Sequence, residues 1–396
     1  MKVLFFSKKH LIGVLAVIGL LLVFMTLNHS DHSVNTKAYR VREYFPPLIY
    51  LPGYQQGPRI YASTGVLIEA RSGAVLFAKN PDLRRAPAST TKMMTAIVAL
   101  EKGDLKKIIK ISPLAAGTPG SSIWLRAGDK LVLKELLEGM MLQSGNDGSM
   151  AVAEGVAGTV PDFVALMNLK AKEIGALNTN FRNPHGLRAP SHYTTAIDLA
   201  LIARYGLAHP GFSNLVKRKT AIVRWEDKPQ QIQVKNTNRL LWYLEGADGV
   251  KTGTTNEAGY CLVASATRSG RQLIAVVLNS GDRWGDCGRL LEYGFKEFIA
   301  RKIADRHHAV ARLAVNNGNI AWVKLYPRVD LYAVVKKDSA QLIQTQQKIF
   351  SGRVSAPLRP GQVWGKIGYR YGDQIVEGVD LINLQPIPKK RPWWAW

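Results

Sequence analysis

Residues 260–280 read YCLVASATRSGRQLIAVVLNS, and they predict two adjacent β-strands joined by a tight turn. Both halves are rich in apolar residues, and Ser269 and Gly270 between them are typical turn residues. A second hairpin is predicted in residues 65–80, GVLIEARSGAVLFAKN, around another Ser-Gly pair. Because the two hairpins are far apart in the chain, we expect one sheet assembled from both ends of a domain.

The segment between the hairpins shows the apolar spacing of three and four residues that is typical of amphipathic helices. Helices are predicted at residues 89–102, 131–143, 147–157, 161–175 and 194–205. Further strands are predicted at residues 219–225 and 247–252, and a closing helix near residues 286–303. The sequence therefore predicts a mixed α/β domain over residues 60–300, with a helical lobe inserted into the sheet.

The pattern changes after this domain. Residues 311–384 consist of short strand-like runs interrupted by Gly and Pro, and they predict a separate small β-rich domain behind a linker at residues 301–310. Residues 385–396 form a basic and aromatic tail that ends in PKKRPWWAW. Cations next to tryptophans suit a membrane interface, and a frayed terminus is the alternative.

The N-terminus predicts export. Residues 11–27, LIGVLAVIGLLLVFMTL, carry no charge, follow two lysines and are long enough to cross a bilayer as a helix. No small-residue cleavage site follows them, so we expect residues 1–27 to be an uncleaved membrane anchor, with a cleaved signal segment as the alternative. Residues 28–59 are polar and then proline-rich, and they predict an extended spacer. In either case we expect the two domains to lie outside the cytoplasm.

The charge balance narrows the choice of partner. Lys and Arg total 53 against 29 Asp and Glu, which makes the formal net charge +24. Such a charge favours nucleic acid, acidic lipid headgroups or an anionic wall polymer. Because the chain follows an export segment and carries no recognised nucleic-acid motif, we do not expect nucleic acid to be the partner.

The chain has two cysteines, Cys261 and Cys287, which is too few for a disulfide framework. We favour two unpaired thiols, of which Cys261 would be a small buried apolar residue. A disulfide between them is the alternative, since the predicted hairpin brings its two ends together.

Three short motifs combine nucleophilic and cationic side chains. In APASTTKMM, residues 86–94, Ser89 and Lys92 stand one helical turn apart at a helix start. The triplet SGN at residues 144–146 offers a hydroxyl and an amide from a turn, and KTG at residues 251–253 places a lysine on a strand beside a glycine. Each motif alone fits an ordinary cap, turn or strand end. In this order they predict one cleft, in which burial and a second cation lower the pKa of Lys92 so that it acts as a base towards Ser89.

This combination resembles the penicillin-binding proteins and serine β-lactamases. The surrounding text resembles more narrowly the low-molecular-weight D-alanyl-D-alanine carboxypeptidases, through NPHGL at residues 183–187, YTTAIDLALIA at 193–203 and LLEYGF at 290–295. The resemblance covers residues 60–300, and the β-rich domain looks like the C-terminal domain of that family. It implies a DD-peptidase-like fold, with a mainly antiparallel sheet flanked by helices.

The resemblance also implies an activity. The protein would be a serine carboxypeptidase that acts on peptidoglycan stem peptides ending in D-Ala-D-Ala, at the outer face of a bacterial cytoplasmic membrane, and β-lactams would inhibit it covalently. Ser89 would be the nucleophile and Lys92 the general base. Ser144 would relay a proton to the leaving amine, Asn146 would position Lys92 and the substrate, and Lys251 would act through its charge.

Further residues would bind the substrate. The resemblance assigns Thr252, Gly253, Thr254 and Arg283 to the terminal carboxylate, and the backbone N–H groups of Ser89 and Thr254 to the oxyanion hole. Several family members carry His directly after KTG, where this chain has Thr254. No metal or organic cofactor is expected.

Other functions remain open from the sequence: a DD-endopeptidase, a β-lactamase, or a non-catalytic penicillin sensor. The commonest β-lactamases need a Glu in the pattern E-x-x-L-N, and EIGALN at residues 173–178 is one residue too long, so we assign Glu173 to a solvated helix face. His185 and Asp198 match family positions near the helical lobe, and we favour structural roles for both.

Overall fold

The computed structural model describes residues 45–372 and 374–391 of the 396-residue chain. The predicted anchor, residues 1–27, the beginning of the predicted spacer and residues 392–396 of the tail lie outside the described residues. The described residues form a mixed domain of helices and sheet, followed by an all-β domain, which confirms the predicted fold class.

The elements of the first domain follow one another without long irregular stretches. They are β1 (Ile49–Tyr50), β2 (Thr64–Glu69), β3 (Ala74–Lys79), a 3₁₀ turn (Ala88–Thr91), α1 (Lys92–Lys102), β4 (Ile108–Lys110), α2 (Pro113–Ala116), β5 (Lys130–Val132), α3 (Leu133–Leu142), α4 (Asn146–Ala157), α5 (Val160–Ile174), α6 (Ala196–Ala208), α7 (Pro210–Val216), β6 (Thr220–Arg224), β7 (Gln231–Lys235), α8 (Leu240–Tyr243), β8 (Ala247–Thr255), β9 (Gly259–Arg268), β10 (Arg271–Ser280) and α9 (Arg283–Glu297). Every helix predicted between the two hairpins is present.

The central sheet has six strands in the order β1-β3-β2-β10-β9-β8, and β4–β5 and β6–β7 form two small separate ladders. Only β1 runs parallel to its neighbour. Strands from both ends of the domain meet where β2 pairs with β10, as the two hairpins predicted. Strand β8 lies at the edge of the sheet, so its outer side borders the helical lobe.

The predicted turn between β9 and β10 is present. Ser269 and Gly270 have φ values of +48° and +74°, the geometry of a two-residue turn that matches the twist of the flanking strands. Arg268 pairs with Arg271 directly across this turn. The hairpin therefore sets the register of the two central strands.

Helices cover both faces of the sheet. Helix α6 packs against β2 and β10 from one side, and α9 packs against β9 and β10 from the other. Strands β2, β9 and β10 are consequently buried on both faces, which accounts for their nearly continuous apolar sequences. The helical lobe has its own apolar centre in α1, where Met93, Met94 and Ile97 are buried.

The closing helix differs from its prediction. It covers Arg283–Glu297 instead of residues 286–303, and residues 298–304 form a strand that pairs with residues 331–336. Phe298 is buried in this pairing, so packing of the following domain overrides the helical spacing. The predicted linker at residues 301–310 is therefore wrong for residues 301–304.

The second domain consists of strands. They are β11 (Phe298–Ala304), β12 (Ala311–Asn316), β13 (Trp322–Pro327), β14 (Leu331–Lys336), β15 (Ile343–Ile349), β16 (Arg353–Ser355), β17 (Val363–Tyr371) and β18 (Gln374–Ile382), with a 3₁₀ turn at Lys337–Leu342. Six of them form a sheet in the order β15-β17-β18-β13-β12-β16, and β11 pairs with β14. Leu325, Ala333 and Leu381 are fully buried in its core.

The later part of the predicted spacer packs onto the first domain. β1 pairs with β3, Leu51 is buried, and Arg204 from α6 donates a hydrogen bond to the carbonyl oxygen of Pro46 over 2.8 Å. The apolar residues of this segment cover the edge of the sheet. The prediction of an extended spacer over residues 28–59 is therefore wrong for residues 45–59.

Cys261 and Cys287 are both free and buried, in agreement with two unpaired thiols. Cys261 lies in β9, and Cys287 lies in α9. Burial raises the pKa of both thiols, so neither is poised as a nucleophile.

Within residues 45–372 and 374–391, no single helix is long and apolar enough to span a membrane. The pair α4 and α5 meets that test of length and composition together, with a bend of 87° between the two helices.

Candidate active site

Ser89 lies in the 3₁₀ turn that leads into α1, and Lys92 is the first residue of α1. Their side chains point the same way, with Lys92 Nζ 3.0 Å from Ser89 Oγ. Ser89 is half-buried, whereas Lys92 is fully buried. The structure therefore brings the predicted nucleophile and its predicted base into hydrogen-bond contact.

Lys92 is held by oxygen atoms that carry no formal charge. Its Nζ donates to Asn146 Oδ1 over 2.7 Å and to the carbonyl oxygen of His185 over 2.8 Å. Burial lowers the pKa of Lys92 well below its ordinary value, and the charge of Lys251 lowers it further, against a smaller opposing effect of Asp147. An uncharged amine at this position can accept a proton from the serine hydroxyl.

The turn between α3 and α4 contributes a second hydroxyl. Ser144 sits there with a φ of +67°, and its Oγ accepts a hydrogen bond from Lys251 Nζ over 3.1 Å. Asn146 begins α4, and its Nδ2 donates to the carbonyl oxygen of Pro119 over 2.6 Å. That bond fixes the amide so that its oxygen faces Lys92.

Asp147 supports this wall of the site, a role that the sequence did not reveal. Its buried carboxylate accepts hydrogen bonds from Ser122 Oγ and from the backbone N–H groups of Ile123 and Leu125. It thereby holds the loop that contains Pro119 against the start of α4. The only signal in the sequence is an acidic residue in the first turn of a helix, which also fits a simple cap.

The edge strand β8 closes the other side of the site. Lys251 is fully buried in this strand, and its Nζ also lies 3.3 Å from the carbonyl oxygen of Thr252. Burial lowers the pKa of Lys251 to about 7, and the nearby charge of Arg283 contributes to the shift. Thr252 shares a hydrogen bond of 2.7 Å with Thr237, a neighbour that no sequence motif indicated.

Arg283 comes from the start of α9 and reaches the outer end of β8. It donates to the carbonyl oxygen of Gly253 over 3.0 Å and to Thr254 Oγ1 over 2.8 Å. The four residues that were predicted to bind a carboxylate are therefore contiguous in space, although Arg283 lies in a different element from the other three.

Two glycines allow the backbone of the nucleophile to fit. A β-carbon at Gly253 would lie 3.1 Å from the backbone nitrogen of Ser89, so β8 passes directly beside the nucleophile. A β-carbon at Gly186, which has a φ of +92°, would lie 1.8 Å from the carbonyl oxygen of Ala88. Ala88 itself has a φ of +47°, so the segment before Ser89 is held in an unusual conformation by its neighbours.

Three further residues from the sequence lie in structural positions. The imidazole of His185 accepts a hydrogen bond from the backbone N–H of Leu187, and burial followed by the charge of Lys92 lowers its pKa to about 3. Asp198 accepts from the N–H of Asn178 and from Thr179 Oγ1. Glu173 forms an ion pair of 2.7 Å with Lys170 on the half-exposed surface of α5. These contacts agree with the structural roles assigned to His185 and Asp198, and with a solvated helix face for Glu173.

Comparison with known proteins gives consistent matches. The profile of the D-alanyl-D-alanine carboxypeptidase family matches residues 53–282, and that of the penicillin-binding protein 5 C-terminal domain matches residues 298–389. The D-alanyl-D-alanine carboxypeptidase DacF of Bacillus subtilis is 36% identical over 323 residues, which are 80% of this chain and 83% of that protein. DacA of Escherichia coli K12 is 34% identical over 348 residues, which are 84% of this chain and 85% of that protein. The solved structure of penicillin binding protein 5 from Haemophilus influenzae has a TM-score of 0.76 at 33% identity, and the match covers 84% of this chain and 99% of that one.

The close approach of Gly186 to the nucleophile segment leads to a prediction. In Gly186→Ala the new methyl group would displace Ala88 and with it Ser89, and we expect covalent labelling by a fluorescent penicillin to slow by about 100-fold, because reacting atoms tolerate little displacement. Gly175→Ala is the matched control. Gly175 has nearly the same φ, +91°, with no atom within 4 Å of its β-carbon position, so this variant carries the backbone strain without the clash.

Labelling time courses and thermal melting of both variants test this prediction. We expect Gly175→Ala to label at the wild-type rate with a slightly lower melting temperature. Equal labelling rates for the two variants would contradict a role of Gly186 in positioning Ser89.

Proposed function

The chain belongs to the D-alanyl-D-alanine carboxypeptidase family, and we propose that it removes the terminal D-alanine of peptidoglycan stem pentapeptides through an acyl-enzyme on Ser89. The contact that carries this proposal is the 3.0 Å distance between Ser89 Oγ and a fully buried Lys92. A lysine in this environment is uncharged in the resting site, which is the state that a general base requires.

In the acylation step, Ser89 Oγ attacks the carbonyl carbon between the two D-alanines, and Lys92 takes the hydroxyl proton. The developing oxyanion would be held by the backbone N–H groups of Ser89 and Thr254. The closeness of Gly253 to the nitrogen of Ser89 supports this assignment, because it brings the edge of β8 next to the nucleophile.

Collapse of the tetrahedral intermediate requires a proton on the departing amine. Ser144 is suited to deliver it, because its hydroxyl bonds to Lys251 on the side of the site that faces β8. Lys251 supplies positive charge next to Lys92, and this charge favours return of the proton from Lys92. Water then hydrolyses the ester and releases the shortened peptide.

The terminal carboxylate of the substrate would lie at the outer end of β8. Arg283 there donates to Thr254 Oγ1 and to Gly253, and it has further N–H groups with which to bind a carboxylate. Thr254 stands where several relatives carry His, so the contact at this position is a hydroxyl. Thr252 and the charge of Lys251 complete the anionic subsite.

The site also accounts for covalent inhibition by β-lactams. These compounds present an amide carbonyl and a nearby carboxylate, the two groups that Ser89 and the Arg283 end of β8 would engage. The resulting acyl-enzyme is the same ester as in the peptidase reaction, and inhibition follows when water releases it slowly.

We also propose that the catalytic domain works at the outer face of the cytoplasmic membrane. The uncharged run at residues 11–27 and the net charge of +24, which favours anionic lipid and wall polymers, support this location.

The function is tested by two measurements on one preparation. Wild-type protein should form a covalent adduct with a fluorescent penicillin and release D-alanine from a pentapeptide ending in D-Ala-D-Ala, whereas Ser89→Ala should do neither. Ser355→Ala, an exposed serine of the second domain, is the control and should behave as wild type. Label without D-alanine release would identify a penicillin sensor, and rapid loss of label with hydrolysed drug would identify a β-lactamase.

The role of Lys92 leads to a separate prediction. Lys92→Met keeps the length and burial of the side chain but removes the base, and we expect the acylation rate to fall by about 10²–10⁴-fold. Because the buried amine is already uncharged in the folded protein, we expect little loss of melting temperature. A folded Lys92→Met protein that labels at the wild-type rate would refute the assignment of Lys92 as the base.

The proposed location is tested with the full chain in cells. Wild-type protein should sediment with membranes and be released by detergent, whereas Val17→Arg combined with Leu21→Arg should abolish this association, since each charge in an apolar span costs about 2.5–3.5 kcal/mol. N-terminal sequencing of the membrane fraction distinguishes the two alternatives for the segment. A mature protein that begins after residue 27 and is recovered in soluble form would contradict the anchor.

A further inference from the structure

A cavity of about 850 Å³ opens beside the catalytic residues, on the outer side of β8. We call it the Trp242 pocket, and its main lining residues are Lys235, Arg239, Trp242, Tyr260, Arg283 and Trp284. The residues that carry out the chemistry, Ser89, Lys92, Ser144 and Lys251, do not line it. The pocket is therefore a neighbour of the reaction centre and not the centre itself.

Arg283 joins the pocket to the catalytic site. Its guanidinium lines the pocket and also donates to Gly253 and Thr254, where the terminal carboxylate of the substrate would bind. That carboxylate belongs to the leaving group, because the scissile amide lies between it and the acyl carbon. Space that lies beyond Arg283 is thus available to the leaving group and not to the acyl part.

The pocket is far larger than a D-alanine leaving group requires. Cavities of about 300–1,000 Å³ are the size that encloses ligands of several hundred daltons. A single alanine would fill only the end nearest Arg283. The size of the pocket points to a leaving group with many more atoms.

The charge of the pocket also exceeds what one carboxylate would balance. Lys235 Nζ lies 5.2 Å from the ring centre of Trp242, and the guanidinium carbon of Arg283 lies 4.6 Å from that of Trp284. The acidic residue of the lining, Asp282, accepts from the backbone N–H of Gly285 and from Arg289.

In the described part of the chain, Lys235, Arg239 and Arg283 are not among the residues that form ion pairs with a carboxylate. Aromatic faces hold two of these cations without neutralising them. Three uncompensated positive charges suit a ligand that carries several carboxylates.

We propose that the Trp242 pocket binds the second stem peptide of cross-linked peptidoglycan, so that the protein also cleaves D-alanyl cross-links as a DD-endopeptidase. The inference rests on the proposed function, since it uses the same nucleophile and base. A second stem peptide is both large and rich in carboxylates, as the size and charge of the pocket require. The exposed indole of Trp242 adds a flat surface for its apolar atoms or for a sugar ring.

The cleavage step is the established acyl transfer with a larger amine. Ser89 Oγ attacks the D-alanine carbonyl of the cross-link, and the bond from that carbonyl to the nitrogen of the second peptide breaks. The serine proton passes through Lys92 and Ser144 to this nitrogen, which leaves as a free amine. Water then hydrolyses the ester on Ser89, which restores the enzyme and gives a free carboxylate.

Arg283 makes the proposal chemically selective. It requires a carboxylate on the carbon that bears the leaving nitrogen, as in a cross-link to the D-centre of diaminopimelate. A cross-link to the side-chain amine of lysine has no carboxylate at that carbon. We therefore expect the first kind of cross-link to be cut and the second to be cut poorly.

The experiment compares three purified substrates with the full-length protein: a pentapeptide, a dimer linked from D-alanine to the D-centre of diaminopimelate, and a dimer linked to the lysine side chain. We expect D-alanine release from the first, separation of the second into monomers, and a kcat/KM for the lysine-linked dimer that is lower by about tenfold or more, because its leaving group lacks the anchoring carboxylate.

Two variants probe the pocket without touching Ser89, Lys92 or Arg283. Lys235→Gln combined with Arg239→Gln, and separately Trp242→Ala, should lower kcat/KM for the diaminopimelate dimer by about tenfold while D-alanine release from the pentapeptide stays as in wild type. The matched control, Lys106→Gln combined with Arg301→Gln, removes two exposed cations elsewhere and should change neither rate.

The outcomes separate the two proposals. Wild-type protein that releases D-alanine but leaves the diaminopimelate dimer intact overturns the endopeptidase inference and leaves the carboxypeptidase in place. Dimer cleavage that is unaffected by the pocket variants overturns the role of the Trp242 pocket. Absence of D-alanine release and of penicillin labelling would overturn the proposed function, and the inference with it.

Discussion

The active site depends on a lysine that is buried without a carboxylate beside it. A charged ammonium in such a place lacks water and a counter-ion, so the cheaper state is the uncharged amine. The partners that hold Lys92 are a hydroxyl, an amide oxygen and a backbone carbonyl, which orient the nitrogen without stabilising a proton on it. The same amine in water would be protonated at neutral pH and useless as a base.

The rest of the fold maintains that environment. Helix α1 carries Lys92 into the centre of the helical lobe, and the start of α4 brings Asn146 to meet it. Asp147 holds the loop that shields this region, and edge strand β8 seals the opposite side at Gly253. The two cations are thus placed on elements that are distant in sequence. Their separation is set by packing between the helical lobe and the sheet, which explains why the catalytic residues lie at the boundary of these two parts.

Local features could be predicted from the sequence, and contacts between distant elements could not. The hairpin turn at Ser269 follows from residues next to each other, and the pair Ser89 and Lys92 follows from helical spacing. The three motifs together indicated one cleft, because each carries a residue type that is rarely needed for packing.

Asp147, Thr237 and Gly186 gave no such signal, since their function depends on partners far away along the chain. The strand at residues 298–304 was missed for the same reason: its pairing with residues 331–336 overrides the helical pattern that continues from α9. Proline-rich residues after Phe45 looked like a free spacer, although burial of Leu51 binds them to the sheet.

The substrate completes the electrostatics of this site. In the described part of the chain, the hydrogen-bond partners of Lys251 and Arg283 are hydroxyl and carbonyl oxygens, with no carboxylate among them. The charge of Arg283 helps to lower the pKa of Lys251 to about 7, so in the free protein part of the population loses the proton on Lys251. A substrate carboxylate at Arg283 offsets that repulsion and favours the charged form of Lys251. Because a charged Lys251 in turn keeps Lys92 uncharged, binding of the correct terminus prepares the base as it delivers the carbonyl group to Ser89.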